Sequence, residues 1–107
     1  MHMNNFFEKQ SAIAAIVTTY EPKIETLEDQ FRRLQGQVEL LLVVDNGSSN
    51  SSDVDEIVSK YPFAQFIGAP ENQGLGWAHN EGIRRVLAMG ASAVLLLDQD
   101  SLPRDDM

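Results

Sequence analysis

Four apolar runs divide the chain at nearly even intervals: "AIAAIV" at 12–17, "VELLLVV" at 38–44, "AQFI" at 64–67 and "AVLLL" at 93–97. Their apolarity is continuous rather than alternating, the pattern of strands buried on both faces. Between the runs, apolar residues recur at helical spacing: Ile24, Leu27, Phe31 and Leu34, then Val54, Ile57, Val58 and Tyr61, then Ile83, Val86, Leu87 and Gly90. Each stripe predicts a helix that covers one face of a sheet. Ser52, three residues before Asp55, reads as a capping box, and Gly36 and Gly90 stand where helices stop. Strands alternating with helices predict an α/β fold: a three-layer, Rossmann-like parallel sheet with right-handed crossovers. There is no internal repeat and no low-complexity stretch, and "NGSSNSSD" at 46–53 is a polar loop.

In such a sheet a ligand lies beyond the carboxyl ends of the strands, where strand order reverses. The residues after each run therefore carry the chemistry: Thr18, Thr19 and Tyr20; Asp45, Asn46 and Gly47; Glu71, Asn72 and Gln73; Asp98 and Asp100. In extended backbone, side chains two apart point the same way, so Asp98 and Asp100 are expected to converge. A hard divalent ion bridged to phosphate oxygens would relieve their repulsion. The plain alternative is a strand end meeting water, with Asp98 or Ser101 capping a turn. Asp45 can take the ring N–H of a pyrimidine or a ribose hydroxyl, or it can serve the amides of its own turn, Asn46-Gly47.

In "ENQGLGWAHNEGIRR", Gly74 and Gly76 permit close backbone approach, and a helix starting there offers free N–H groups to a diphosphate. It is not a GxGxxG fingerprint, since the glycine after Gly76 is Gly82. Carrying the stripe back from Ile83 reaches Asn80, His79 and Gly76, which puts two polar residues at the sheet edge. A satisfied, half-buried histidine is the plainer reading of His79, and packing is that of Trp77.

Composition narrows the partners. At 107 residues, 43% hydrophobic and 22% charged, the chain is one small soluble domain or part of a larger one. The absence of cysteine removes disulfides, thiolate metal sites and a cysteine nucleophile, leaving oxygen ligands or His2 and His79 for any metal. A formal charge of -8 argues against nucleic acid as a partner, although an acidic domain still binds nucleotides through a divalent cation. No run approaches the roughly 20 apolar residues of a membrane span and no leader opens the chain, so a cytoplasmic location is expected. Residues 1–11 are expected to be an N-terminal extension or the remnant of a tag.

"IVTTYEP", "LLVVDNGSS", "ENQGLGWAHNEGI" and "VLLLDQDSLP", in this order, resemble the nucleotide-sugar-binding half of inverting family-two glycosyltransferases of the GT-A fold. Within that family they look most like bacterial rhamnosyltransferases of polysaccharide and O-antigen assembly. The likeness covers nearly all of residues 13–103. It implies that Thr18, Thr19 and Tyr20 line the base pocket and that Asp45 meets the base or its ribose. It further implies that Asn72 and Gly74 lie along the nucleotide, with Asn80 supporting the site, and that Asp98 approaches the ribose. Asp100, with Asp98, would bind the metal, Mg²⁺ or Mn²⁺, that bridges the diphosphate. His79 stands where the family commonly has arginine, which puts a diphosphate contact from that position in doubt.

The implied reaction is a single displacement at the anomeric carbon. Its carboxylate base is expected beyond Met107, so residues 12–107 would be the donor-binding half, truncated before the acceptor half and inactive alone. The favoured donor is dTDP-rhamnose, with a UDP-sugar as the other choice; the acceptor would be a saccharide or lipid-linked, met at the inner face of the plasma membrane. A cut sheet edge after the fourth strand would favour self-association.

Three other readings compete. A noncatalytic nucleotide-binding or assembly module is separable only by ligand binding. A receiver-type signalling domain carries its acid pair after the first strand, where this chain has Thr18, Thr19 and Tyr20. A nucleotidyltransferase opens with a glycine-rich basic loop, and "TTYEPKIET" has no glycine.

Overall fold

The structure, a computed structural model, describes residues 12–100. The N-terminal extension and the proposed turn cap at Ser101 lie outside the described residues. Every predicted element forms, in the predicted order: β1 (Ile13–Thr19), α1 (Ile24–Leu34), β2 (Leu40–Asp45), α2 (Ser51–Ser59), β3 (Ala64–Gly68), α3 (Leu75–Ala88) and β4 (Ala93–Asp98). The strands run one or two residues past the apolar runs at their carboxyl ends. Thr18, Thr19, Asp45 and Asp98 are thus ladder residues, not loop residues.

The four strands are all parallel, in the order β3-β2-β1-β4. The chain moves outward from β1 to β3, and α3 then carries it back across β2 and β1 to set β4 against the other side of β1. Strand order therefore reverses between β1 and β4, and that is where a crevice opens in a doubly wound sheet. Register brings the polar ends together: Thr19 pairs with Asp45, and Thr18 lies between Val44 and Asp98.

Side-chain alternation divides β1 and β2 between two cores. Ala15, Val17, Leu41 and Val43 face α1 and α2, against Leu27, Phe31, Leu34, Val54, Ile57 and Val58. Ala14, Ile16, Leu40, Leu42 and Val44 face α3, against Ala78 and Val86. Each fully buried leucine or phenylalanine contributes about 1.5–3 kcal/mol. Tyr61 extends the first core by meeting Phe31 edge-on at 5.7 Å. Gly36 and Gly90 follow α1 and α3 in left-handed backbone, the helix stops expected.

Three expectations are corrected. Burial on both faces holds for β1 and β2 but not for β3 or β4, which are edges; Leu96 of β4 is 45% exposed because α3 lies mainly over β1 and β2. The buried face of α3 is Ala78, Gly82 and Val86, whereas Leu87 is 56% exposed and Asn80 faces solvent. Small residues carry that face because the helix packs close: a Cβ on Gly82 would lie 2.8 Å from Ile16 Cγ2. Finally, the N-cap of α2 is Asn50, and Ser52 sits inside the first turn instead of capping it. Among the described residues no helix is long and apolar enough to cross a membrane.

Candidate functional site

Asp45 ends β2 fully buried, and its carboxylate is taken up by the protein. Oδ1 accepts from the Thr19 hydroxyl at 2.6 Å and the Ser48 hydroxyl at 2.7 Å, while Oδ2 accepts from the Ser48 amide at 2.9 Å. The Ser48 hydroxyl in turn accepts from the Glu21 amide at 2.8 Å. The Glu21 carboxylate closes the circuit, taking the Ser49 hydroxyl at 2.6 Å and the Ser49 amide at 2.7 Å. Those two bonds, the hydroxyl's first, hold the Glu21 carboxyl below its ordinary range. Glu21 has φ +49, an uncommon conformation for a residue with a Cβ, and this lattice fixes it there. The loops after β1 and β2 are thereby sewn into one rigid rim.

Beside the rim, at the reversal point, lies a cleft of about 410 Å³, a volume in the range of small-molecule pockets. Thr18, Thr19 and Tyr20 form the wall from β1, and Asp98, Gln99 and Asp100 the wall from β4; Asn46 and Leu75 complete it. Tyr20 is 49% and Leu75 56% exposed, so two apolar surfaces flank an otherwise polar hollow.

The two acids reach the cleft by a different route from the one their spacing predicts. β4 ends at Asp98, and Gln99 and Asp100 form a turn. Extended backbone would send Gln99 to the opposite side, whereas the turn directs three successive residues to one cleft. The carboxylates of Asp98 and Asp100 are exposed and make no hydrogen bond or ion pair among the described residues. The chain that carries them is tied at two points, Asp98 and Gln99. Gln30, buried in α1, donates Nε2 to the Asp98 carbonyl at 2.8 Å. Gln99 Oε1 accepts from the Tyr20 amide at 2.7 Å, and its Nε2 donates to the Tyr20 carbonyl at 3.1 Å.

Of the residues expected at a nucleotide or metal site, Thr18, Thr19, Tyr20, Asp98 and Asp100 line the cleft. Asp45 sits beneath Thr19, and Asn72, Gly74 and Asn80 lie outside the lining. Asn72 Oδ1 accepts from the Gly74 amide at 2.7 Å, a local turn that leads into α3. Gly74 is the N-cap of α3 and gives its first turn no side-chain partner, so that helix start is open beside Leu75. His79 is half-buried, and Trp77 packs on the core beneath α3. Asn46 Oδ1 accepts from the Gln73 amide at 2.7 Å, drawing residues 71–73 against the β2 loop. Gly47 makes that approach possible: at φ +80, a Cβ there would lie 2.4 Å from the Glu71 carbonyl carbon.

A group of three or more histidine or acidic side chains suited to a metal is absent among the described residues. The donor set of two open carboxylates nevertheless fits a Mg²⁺ or Mn²⁺ whose remaining ligands are diphosphate oxygens, since such ions commonly take only one or two protein carboxylates. Sequence reasoning missed Glu21, Gln30, Ser48, Leu75 and Gln99. Gln30 alone left a readable mark, being a polar residue inside the apolar stripe of α1.

A family model described as Glycosyl transferase family 2 matches residues 14–107. The chain is also similar to the dTDP-rhamnosyl transferase RfbF of Shigella flexneri, with 30% identity over 101 residues. That alignment takes in 90% of this chain and 32% of the relative, so the chain spans about a third of the relative's length.

Proposed function

The chain belongs to glycosyltransferase family 2, and from that premise we propose that it is the nucleotide-sugar-binding part of a rhamnosyltransferase. The observation that carries the proposal is the cleft at the reversal of strand order. Its lining combines Thr18 and Thr19 at the end of β1 with the carboxylates of Asp98, the last residue of β4, and Asp100, on the turn that follows, both unpaired among the described residues. The base and ribose would lie along Thr18, Thr19 and Tyr20, and the diphosphate would run toward the open start of α3 and the acids. Asp98 and Asp100 would hold a Mg²⁺ or Mn²⁺, which when bound supplies Lewis-acid neutralisation of the diphosphate.

The donor proposed is dTDP-rhamnose, supported by the likeness to the Shigella dTDP-rhamnosyl transferase; a UDP-sugar is the other outcome of the test below. The reaction of the whole protein would be displacement at the anomeric carbon. An acceptor hydroxyl oxygen of a saccharide or lipid-linked acceptor forms the new bond, and the nucleoside diphosphate leaves with the electrons of the old one. No residue of 12–100 is assigned as the base that takes the acceptor proton. The part played by these residues is to bind and orient the donor.

Calorimetric titration of dTDP and UDP into the 107-residue chain, each with and without Mn²⁺, tests the reading. Binding that is strengthened by Mn²⁺ is expected, with Asp100→Ala losing that strengthening. Failure of both nucleotides to bind, with and without Mn²⁺, would remove the donor-site reading.

A further inference from the structure

We propose that Gln99 is a positioning residue that fastens the base wall of the cleft to the acid-bearing turn, so that the two move as one. This rests on the donor-site reading above. The last pair of the β1–β4 ladder is Thr18 with Asp98, and beyond it the two strands leave each other. Among the described residues, Tyr20, two residues past that pair, has no neighbouring strand to serve its main chain on the β4 side. One side chain serves it instead: the Gln99 amide accepts from the Tyr20 N–H at 2.7 Å and donates to the Tyr20 C=O at 3.1 Å. A single planar group thus stands in for the missing rung.

The chemistry of this contact is selective. It needs a donor and an acceptor in one rigid fork at the reach of a glutamine. Glutamate would keep the acceptor but set a negative charge against the Tyr20 carbonyl and between Asp98 and Asp100. Methionine would keep the shape and lose both bonds. From beneath, Gln30 holds the Asp98 carbonyl at 2.8 Å, so glutamines grip the turn from two sides while both carboxylates stay open to the cleft. That division of labour separates holding from binding.

The consequence falls on Tyr20. Tyr20 is 49% exposed and its ring stacks on no other ring among the described residues, so its direction is set by its backbone, and its backbone is set by Gln99 and by the rim at Glu21. Losing the fork frees the tyrosine without touching the carboxylates. The loss must therefore show at the base end of the nucleotide, and equally whether or not a metal is present.

The test uses the 107-residue chain and its Gln99→Met and Gln99→Glu variants, with amide hydrogen exchange at Tyr20 by NMR and titration of dTDP and UDP with and without Mn²⁺. For Gln99→Met the expected result is faster exchange at Tyr20 and affinity lower by about tenfold, the scale of one to two net hydrogen bonds, by the same factor in both metal arms. Gln99→Glu should lose the same affinity in the metal-free arm despite keeping one bond. Unchanged exchange at Tyr20 in Gln99→Met would overturn the fastening. Faster exchange with unchanged affinity would overturn its bearing on the site, and a loss confined to the Mn²⁺ arm would reassign Gln99 to the metal end. A wild-type chain that binds neither nucleotide would instead sink the donor reading, and the inference with it, while the exchange data still report the contact itself.

Discussion

Two strands of this sheet end in aspartate, and the two carboxylates have opposite fates. Asp45 is fully buried and accepts three hydrogen bonds from Thr19 and Ser48. Asp98 is exposed, and only its main-chain carbonyl is gripped, by Gln30. The difference follows from position. β2 lies inside the sheet beside β1, and the loop after it folds back over its own end; β4 is at the edge, and its turn points into the crevice. Similar residues at similar strand ends are thus a structural anchor in one case and a carboxylate open to the cleft in the other. A carboxylate with all its partners supplied by the protein holds a loop, and one left without partners is available to a ligand.

The sharpest way to break this contrast is Asp45→Ala beside Asp98→Ala, compared by urea denaturation. Asp45→Ala strands a buried amide and two hydroxyls and is expected to cost about 3 kcal/mol, whereas Asp98→Ala should stay within about 0.5 kcal/mol of the parent. Equal costs would refute the assignment of anchor and open group. Next in size is Gly47→Ala, which combines an unfavourable φ with a clash against Glu71 and should cost about 2 kcal/mol in the same assay. Thr19→Val removes one of the three donors to Asp45 while keeping its shape, and about 1 kcal/mol is expected.

The smallest effect is that of pH on the rim. The Glu21 carboxyl is held below the ordinary 4.5 by Ser49, so its contribution is fully present above that ordinary value. It is lost only as pH falls through the depressed one. An NMR titration of the Ser49 amide should have its midpoint below 4.5; a midpoint at or above it would show that the tie does not form in solution.

The fold was legible because the apolar runs are long and the helical stripes on α1 and α2 are clean. The α3 stripe was misjudged for a physical reason. Reading by hydrophobic bulk points to Leu87, whereas the helix packs through Ala78 and Gly82, whose smallness lets it sit close on Ile16. Thr18, Thr19, Tyr20, Asp98 and Asp100 were legible as cleft residues because a doubly wound sheet dictates where its strand ends go. Gln99 was not, since extended alternation sends it away from the acids and only the turn at the end of β4 brings it back. Glu21 was hidden because its partners, Ser48 and Ser49, lie on another loop, 27 and 28 residues away in sequence.

The order β3-β2-β1-β4 also shapes how this chain emerges from a ribosome. β1 is made first, yet one of its two neighbours is β4, with Ala12 bonded to Ser92 across 80 residues. Once residue 68 is out, β1, β2 and β3 can assemble with α1 and α2, but the edge of β1 and the whole α3 face stay bare. At ~5–20 residues per second, the roughly 30 residues that complete α3 and β4 take a few seconds to arrive. For that interval the nascent chain displays an unpaired apolar strand edge, the kind of surface that holdase chaperones shield. The strand that finally relieves it is the one that brings the acids.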